Sequence, residues 1–384
     1  MVGSAAGRKG EGMRFETRAV HAGGKPDSET GAIAPPIHLS TTFEHGPAGE
    51  RPGGYMYIRE GNPTQTRLEE ALADIEGGQA AFAFASGLAA GAAYLQAFPA
   101  GSHVVFPDDI YYGFRTIAEE FLPRWGMESS AVEMGDLDRV RAALKPNTRL
   151  IWTETPSNPL MKIVDLSGMA SIAREAGARM MVDGTFATPA LQRPLELGAD
   201  AVLHATTKYL GGHSDVQGGA LILRERGDWV ERIQHIRHIL GAVSSPFNSW
   251  LVLRGLRSLS CRMDRHSSNG LALARALAAH SSVEAVHYPG LESHPGHAVA
   301  RRQMSGFGGM LSFRVRGGRD AAIRVASRVK LFTNATSLGG TESLIEHRAS
   351  SEGPGSPTPQ NLLRVSAGLE HPEDLIEDLT QALG

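Results

Sequence analysis

The sequence predicts an α/β protein with a mostly parallel central sheet and a smaller C-terminal α+β domain. Three observations predict it. Short apolar runs alternate with helical stretches between residues 61 and 241, the pattern of βαβ units. Several of these runs end in a polar residue, Ser86, Asp108, Glu154, Asp183 and Lys208, and open α/β sheets bind ligands beyond the carboxyl ends of their strands. Near Gly241 the pattern changes to long helices and alternating segments. The expected organisation is therefore 1–60 as an N-terminal arm, 61–241 as the large domain and 242–384 as the small one.

Residues 1–60 are loop-rich, with Pro35-Pro36, Pro47 and Pro52-Gly53-Gly54. Such a segment is uncommon unless it lies across another subunit or over a site. Its start, MVGSAAGRKGEG, is small, polar and Gly-rich, has no apolar stretch of a signal peptide, and reads as disordered. Asn62-Pro63-Thr64 opens a helix in which Leu68, Leu72 and Ile75 recur at helical spacing, and Gly77-Gly78 closes it. The segment 80–86 reads as a strand running into a helix at Gly87. Further strands are expected at 103–107, 149–154, 179–183, 201–206 and 218–224, with helical patterns at IAEEFLPRW, MASIAREAG and 228–240. Beyond Gly241, residues 250–281 are strongly helical, and 310–317 and 362–368 suggest a smaller antiparallel sheet. The stretch 350–360 is loop-like and borders the site.

Composition narrows the function. The 384 residues carry 38 Lys+Arg against 41 Asp+Glu, a formal net charge of -3. Binding nucleic acid needs a clear basic excess on one face, so it is not expected. No run of eighteen or more apolar residues exists, so no transmembrane helix is expected either. The single cysteine, Cys261, excludes an intramolecular disulfide, fits a reducing cytoplasm, and reads as a core residue of a helix. The fifteen histidines show no metal-binding spacing, and His204, His213 and His347 read as structural. Glu69-Glu70 and Arg301-Arg302 read as solvated faces.

The richest chemistry lies in HATTKYLGGHSDVQGG, residues 204–219. A lysine in a strand-end cleft has its ammonium destabilised by burial, which frees the amine to attack a carbonyl. From this segment alone, Lys208 reads equally well as a surface lysine in a turn. Asp183 ends a strand 25 residues earlier. A buried carboxylate there can hold a protonated ring nitrogen, ligate a metal or cap a helix. Ser86-Gly87-Leu88 sits where a strand becomes a helix, so exposed N–H groups and the helix dipole make an anion site.

Across nearly the whole chain, from TRAVHAG to RVSAGLE, these segments stand in a recognisable order: PPIHLSTTF, YIREGNPT, FASGLAA, DDIYYG, ETPSNP, VDGTFATP, TKYLGGHSD, SLGGTESLIEH and RVSAGLE. In that order the chain resembles the Cys/Met-metabolism family of pyridoxal-phosphate enzymes, of aspartate aminotransferase-like fold type I. The resemblance implies pyridoxal 5'-phosphate held as a Schiff base on Lys208. It makes Asp183 the partner of the ring nitrogen, and Tyr111 the aromatic that stacks on the ring. Ser86, Gly87, Leu88 and Thr207 would cradle the phosphate. Tyr57 and Arg59 match a pair that reaches the phosphate from a neighbouring subunit, which implies a homo-oligomer, a dimer of dimers with shared sites. Asn158 and Arg364 would contact the substrate carboxylate, Asn158 also touching the cofactor, and Ser337 would position the lysine amine. Lys208, Tyr111 and Asp183 are then the catalytic residues. The implied activity is carbon-sulfur chemistry on cystathionine-type amino acids, cystathionine γ-lyase-like, with γ-replacement (cystathionine γ-synthase or O-acyl-homoserine sulfhydrylase) a close competitor, followed by methionine γ-lyase and cystathionine β-lyase. No metal, nucleic acid or membrane partner is implied.

Several positions depart from the family's pattern. Ala205 stands where a phosphate-binding serine is frequent, and Thr206 beside it should point elsewhere. Gly184 replaces the asparagine usual after the aspartate, and Leu88 a common methionine. Thr336 stands where cystathionine γ-enzymes typically carry a glutamate. Gly113 stands where methionine γ-lyases usually carry a cysteine. Arg348 occupies a place where proline is common; it reads as a surface arginine, with binding of an acidic distal group as the alternative.

Overall fold

The computed structural model describes residues 12–353 and 356–384. Most of the Gly-rich start that reads as disordered, and two residues of the loop 350–360, lie outside them. The described part of the first sixty residues is irregular apart from the helix α1, Phe15–Val20, and a bridge between Thr42 and Tyr57.

Seven strands form the larger sheet: β1 (Ala80–Phe84), β2 (His103–Pro107), β3 (Glu128–Val132), β4 (Thr148–Glu154), β5 (Arg179–Asp183), β6 (Ala201–His204) and β7 (Gly219–Leu223). Their order is β1-β7-β6-β5-β4-β2-β3, with β7 antiparallel to both of its neighbours and the other pairs parallel. Alternation along each strand sends its side chains to two separate cores. Ile151, Val182, Val202 and Ile222 pack with Leu68, Leu72 and Ile75 of helix α2 (Pro63–Glu76). Leu150, Trp152, Met181, Leu203 and Leu221 pack on the other face with Tyr94 of helix α3 (Gly87–Gln96). Helix α2 starts where the sequence predicts: the Asn62 side chain accepts the Thr64 N–H at 2.9 Å, and Pro63 occupies the first turn.

A second sheet follows, of β8 (Val283–His287), β9 (Met310–Val315), β10 (Thr333–Asn334), β11 (Leu344–His347) and β12 (Leu362–Ser366). It is antiparallel except for the short β10–β11 pair, and it closes a third core. The helical stretch around 250–281 is two helices, Pro246–Leu256 and Leu259–Ala278.

Three expectations are corrected. Cys261 is exposed: its helix turns Leu259, Met263 and His266 inward and leaves the cysteine on the other face. Glu69 is no solvated residue, because it pairs with buried Arg237 and accepts the Ala83 N–H at 2.9 Å, while Glu70 remains exposed. Arg348 is buried. Strand β3 went unread because its residues, ESSAV, show no apolar run; it is the sheet's edge.

Candidate active site

The carboxyl ends of β4, β5 and β6 converge on one cavity of about 410 Å³. Its walls include Ser86, Gly87, Leu88, Tyr111, Asn158, Asp183, Thr207, Lys208, Ser337 and Arg364, ten residues that the sequence scatters over nearly 280 positions. Of the polar strand ends, Asp108 is not among these walls; it pairs with Lys162 Nζ at 2.9 Å. Tyr57 and Arg59 do not line the cavity either. Arg59 lies over the Tyr57 ring, 5.5 Å from its centroid, and donates to the His238 carbonyl at 3.1 Å.

Lys208 sits in the turn that follows β6, four residues past the strand's end, and not on the strand itself. Its Nζ donates to Ser337 Oγ at 2.8 Å. Burial, then the charges of Arg364 and Arg348, push its ammonium down to about 8. A useful fraction of free amine therefore exists near neutrality.

Asp183 ends β5 directly opposite Glu154 on β4. Asp183 Oδ1 accepts the Thr185 N–H at 3.0 Å, and Glu154 Oε2 accepts the Tyr111 N–H at 2.9 Å. Burial raises both carboxyls, and the Asp183 charge raises Glu154 further. Among the described residues, no Lys or Arg pairs with Asp183. A buried carboxylate without a cation is costly; a protonated ring nitrogen in the cavity would supply the missing charge. Gly184 next to it has a local reason. A Cβ there would lie 2.9 Å from His204 Cε1, and the His204 ring is pinned by Glu76 at 2.9 Å.

The anion end is built from α3. Ser86 caps the helix by accepting the Ala89 N–H at 3.1 Å, leaving the first-turn N–H groups of Gly87 and Leu88 without intrahelical partners. A Cβ on Gly87 would come 2.9 Å from the Ala205 methyl, so the backbone approaches closely here. The Thr207 hydroxyl is held by Gly218, donating to its carbonyl at 3.1 Å and accepting its N–H at 3.0 Å. Thr206 is buried and absent from the cavity wall, as its expected direction implies.

At the opposite end, Arg364 Nη1 donates to Asn158 Oδ1 at 3.2 Å, and Nη2 donates to the Ser337 carbonyl at 3.0 Å and reaches Glu346 Oε2 at 2.6 Å. Sequence reasoning missed Glu352 and read Glu154 and Arg348 only in part. Glu154 was visible as a strand end, but its grip on Tyr111 depends on strand register. Arg348 and Glu352 line the cavity from the short helix Arg348–Glu352.

An amine-bearing lysine, an uncompensated carboxylate, an anion-binding helix start and an aromatic at the mouth fit pyridoxal phosphate in kind and arrangement. The comparisons agree. Cystathionine gamma-synthase of Mycobacterium tuberculosis is 50% identical over 374 residues, covering 96% of each chain. Cystathionine gamma-lyase of Bacillus subtilis is 42% identical over 379 residues, covering 97% of this chain and 99% of its own. The crystal structure of metB from Corynebacterium glutamicum superposes with a TM-score of 0.95 at 42% identity, covering 97% of this chain and 98% of that one. The family described as Cys/Met metabolism PLP-dependent enzyme matches residues 16–384, and the chain belongs to that pyridoxal-phosphate-dependent family.

Proposed function

We propose that the protein carries out transsulfuration at Cγ of a four-carbon amino acid, with cystathionine as product or substrate. The observation that carries the reading is the cavity whose walls bring Lys208, Asp183, Tyr111 and Arg364 together. The cystathionine gamma-synthase relative at 50% identity supports γ-replacement, in which a thiol displaces the ester group of an activated homoserine. The gamma-lyase relative supports γ-elimination, the reaction the sequence put first.

Pyridoxal phosphate, held by Lys208, Asp183, Tyr111, Asn158 and the Gly87-Leu88-Thr207 cradle, supplies an electron-withdrawing ring that weakens bonds at the substrate Cα. The remaining work falls to the chain's own groups. Arg364, steadied by Asn158 and the Ser337 carbonyl, takes the substrate carboxylate and so fixes which Cα bond faces Lys208. The Lys208 amine accepts the Cα proton and can release it elsewhere. Ser337 Oγ keeps Nζ on station. The Tyr111 hydroxyl serves as a further proton carrier at the mouth, its backbone fixed by Glu154.

The sites are shared in this proposal. Residues 1–60 form an arm that brings Tyr57 and Arg59 to a neighbouring subunit's phosphate in a dimer of dimers, with 61–241 the cofactor domain and 242–384 the small domain. Exposed Ile33, Leu39, Ile239 and Phe247 provide apolar surface for such contacts. The reaction takes place in the cytoplasm; no described helix is long and apolar enough to cross a membrane.

A substrate panel tests the reading. O-acetyl- and O-succinylhomoserine consumed only when cysteine or sulfide is present would establish replacement. Release of 2-oxobutyrate from cystathionine without added thiol would establish elimination. Inertness toward all of these by a cofactor-loaded protein would defeat the proposal.

A further inference from the structure

The carboxylate end of the cavity holds more charge than one arginine. Glu346 Oε2 lies 2.6 Å from Arg364 Nη2 and 3.4 Å from Arg348 Nη1, so two guanidinium groups share one oxygen. Arg348 Nε continues to Glu352 Oε1 at 3.0 Å. Glu352 Oε2 accepts from the hydroxyls of Ser356 and Thr358, which ties the pair to the chain beyond the short helix. The result is a ladder of alternating sign, Arg364, Glu346, Arg348, Glu352, in which each side chain is less than a tenth exposed.

The four charges cancel. Without Arg348 the remainder is negative, and two carboxylates would stand beside the arginine that must take a third. At such burial the interaction is weakly screened. Glu346 already has one oxygen, Oε1, buried without a partner among the described residues. We infer that Arg348 is a positioning residue for the substrate carboxylate: it neutralises Glu346 and Glu352 so that the ligand's carboxylate meets Arg364 without two unpaired anions beside it, while Glu352 opposes ligand binding. The inference rests on the proposed role of Arg364 in holding the α-carboxylate. The pair Arg348–Glu352 would therefore set affinity for any α-amino acid, whatever its distal group.

Glycine tests this in the cofactor-loaded protein, since it has the amine and carboxylate and no distal group. Its dissociation constant is read from the change in the visible absorbance of the cofactor. Arg348→Met should weaken glycine about tenfold, Glu352→Gln should tighten it about threefold, and the double variant should return to within about threefold of wild type. Arg348→Met should also raise KM for O-acetyl- and O-succinylhomoserine by the same factor with kcat nearly unchanged. A loss confined to the succinyl ester, with glycine unaffected, would instead make Arg348 a direct reader of an acidic distal group and overturn the inference. A double variant no better than Arg348→Met also overturns it. If Arg348→Met does not fold, Glu352→Gln alone decides, and no tightening counts against it. A wild type with no cofactor band sinks the parent reading as well; a wild type that responds to glycine, with variants that break the pattern, sinks only this inference.

Discussion

Lys208 Nζ and Ser337 Oγ lie 2.8 Å apart although 129 residues separate them in the chain. Ser337 holds a φ of 84°, a left-handed conformation that costs a non-glycine residue roughly 1 kcal/mol or more. The strain is retained where the hydroxyl meets the amine. Ser337→Gly and Ser337→Ala both remove that hydroxyl, but only glycine relaxes the backbone. The glycine variant should be more stable than the alanine variant by about 1 kcal/mol, while both lose about tenfold in kcat/KM. Urea denaturation and steady-state kinetics check the two parts; equal stabilities would remove the strain argument.

Lys208 should make the cofactor-free protein less stable at neutral pH. Its folded value is about 8 against an ordinary 10.5, chiefly through burial. Between those values the unfolded chain binds the proton and the folded one does not, so stability rises with pH across that window. Below about 8 both states are protonated and the full penalty stands. Lys208→Met should therefore stabilise the cofactor-free protein by on the order of 2 kcal/mol at pH 7, and the gain should shrink as pH approaches 10.5. Denaturation of both proteins at pH 7 and pH 10 tests the sign.

Where strands carry apolar runs, as in β2, β4 and β5, periodicity alone found them, and their polar ends pointed to the cavity. The sequence could not show that Glu154 and Asp183 are register partners, because register is a property of pairing between strands. Arg348 read as a surface residue since a charge without a visible partner usually is one; its counter-ions, two before it and four after it, count only once the β11 turn and the short helix bring them to its guanidinium. Tyr57 and Arg59 were legible only through resemblance, and the single chain leaves them outside the cavity that it assembles.

The Glu154–Asp183 pair predicts an acid-side dependence of opposite sign. Burial and the neighbouring charge raise Glu154 well above its ordinary 4.5. The folded state keeps a proton that the unfolded chain loses, so this contribution is full below about 4.5 and is lost as pH rises through the folded value. Glu154→Gln mimics the protonated form, still accepts the Tyr111 N–H, and should flatten the pH slope. Cofactor affinity should hold or improve in that variant, whereas Asp183→Asn should weaken it by roughly 10- to 100-fold by losing a charge-assisted hydrogen bond. Fluorescence titration with the cofactor and denaturation at pH 5 and pH 8 provide the readouts. A Glu154→Gln protein as pH-sensitive as wild type would contradict the assignment.

Tyr57 and Arg59 provide the test of a shared site. Arg59 currently donates to the His238 carbonyl at the end of the helix Asp228–Leu240, and its guanidinium lies over Tyr57. Neither residue lines the cavity of its own chain, so Arg59→Ala leaves that chain's Lys208, Asp183 and Arg364 intact. Lys208→Ala leaves Tyr57 and Arg59 intact. Each variant alone should lose most activity. Mixed, denatured and refolded together, they should regain about a quarter of wild-type activity, because random pairing makes half of the dimers hybrid and each hybrid holds one complete site. Native mass measurement should show at least a dimer. If the mixture stays as inactive as its parents while both refold and assemble, the two residues act within one subunit, and the N-terminal arm has some other purpose.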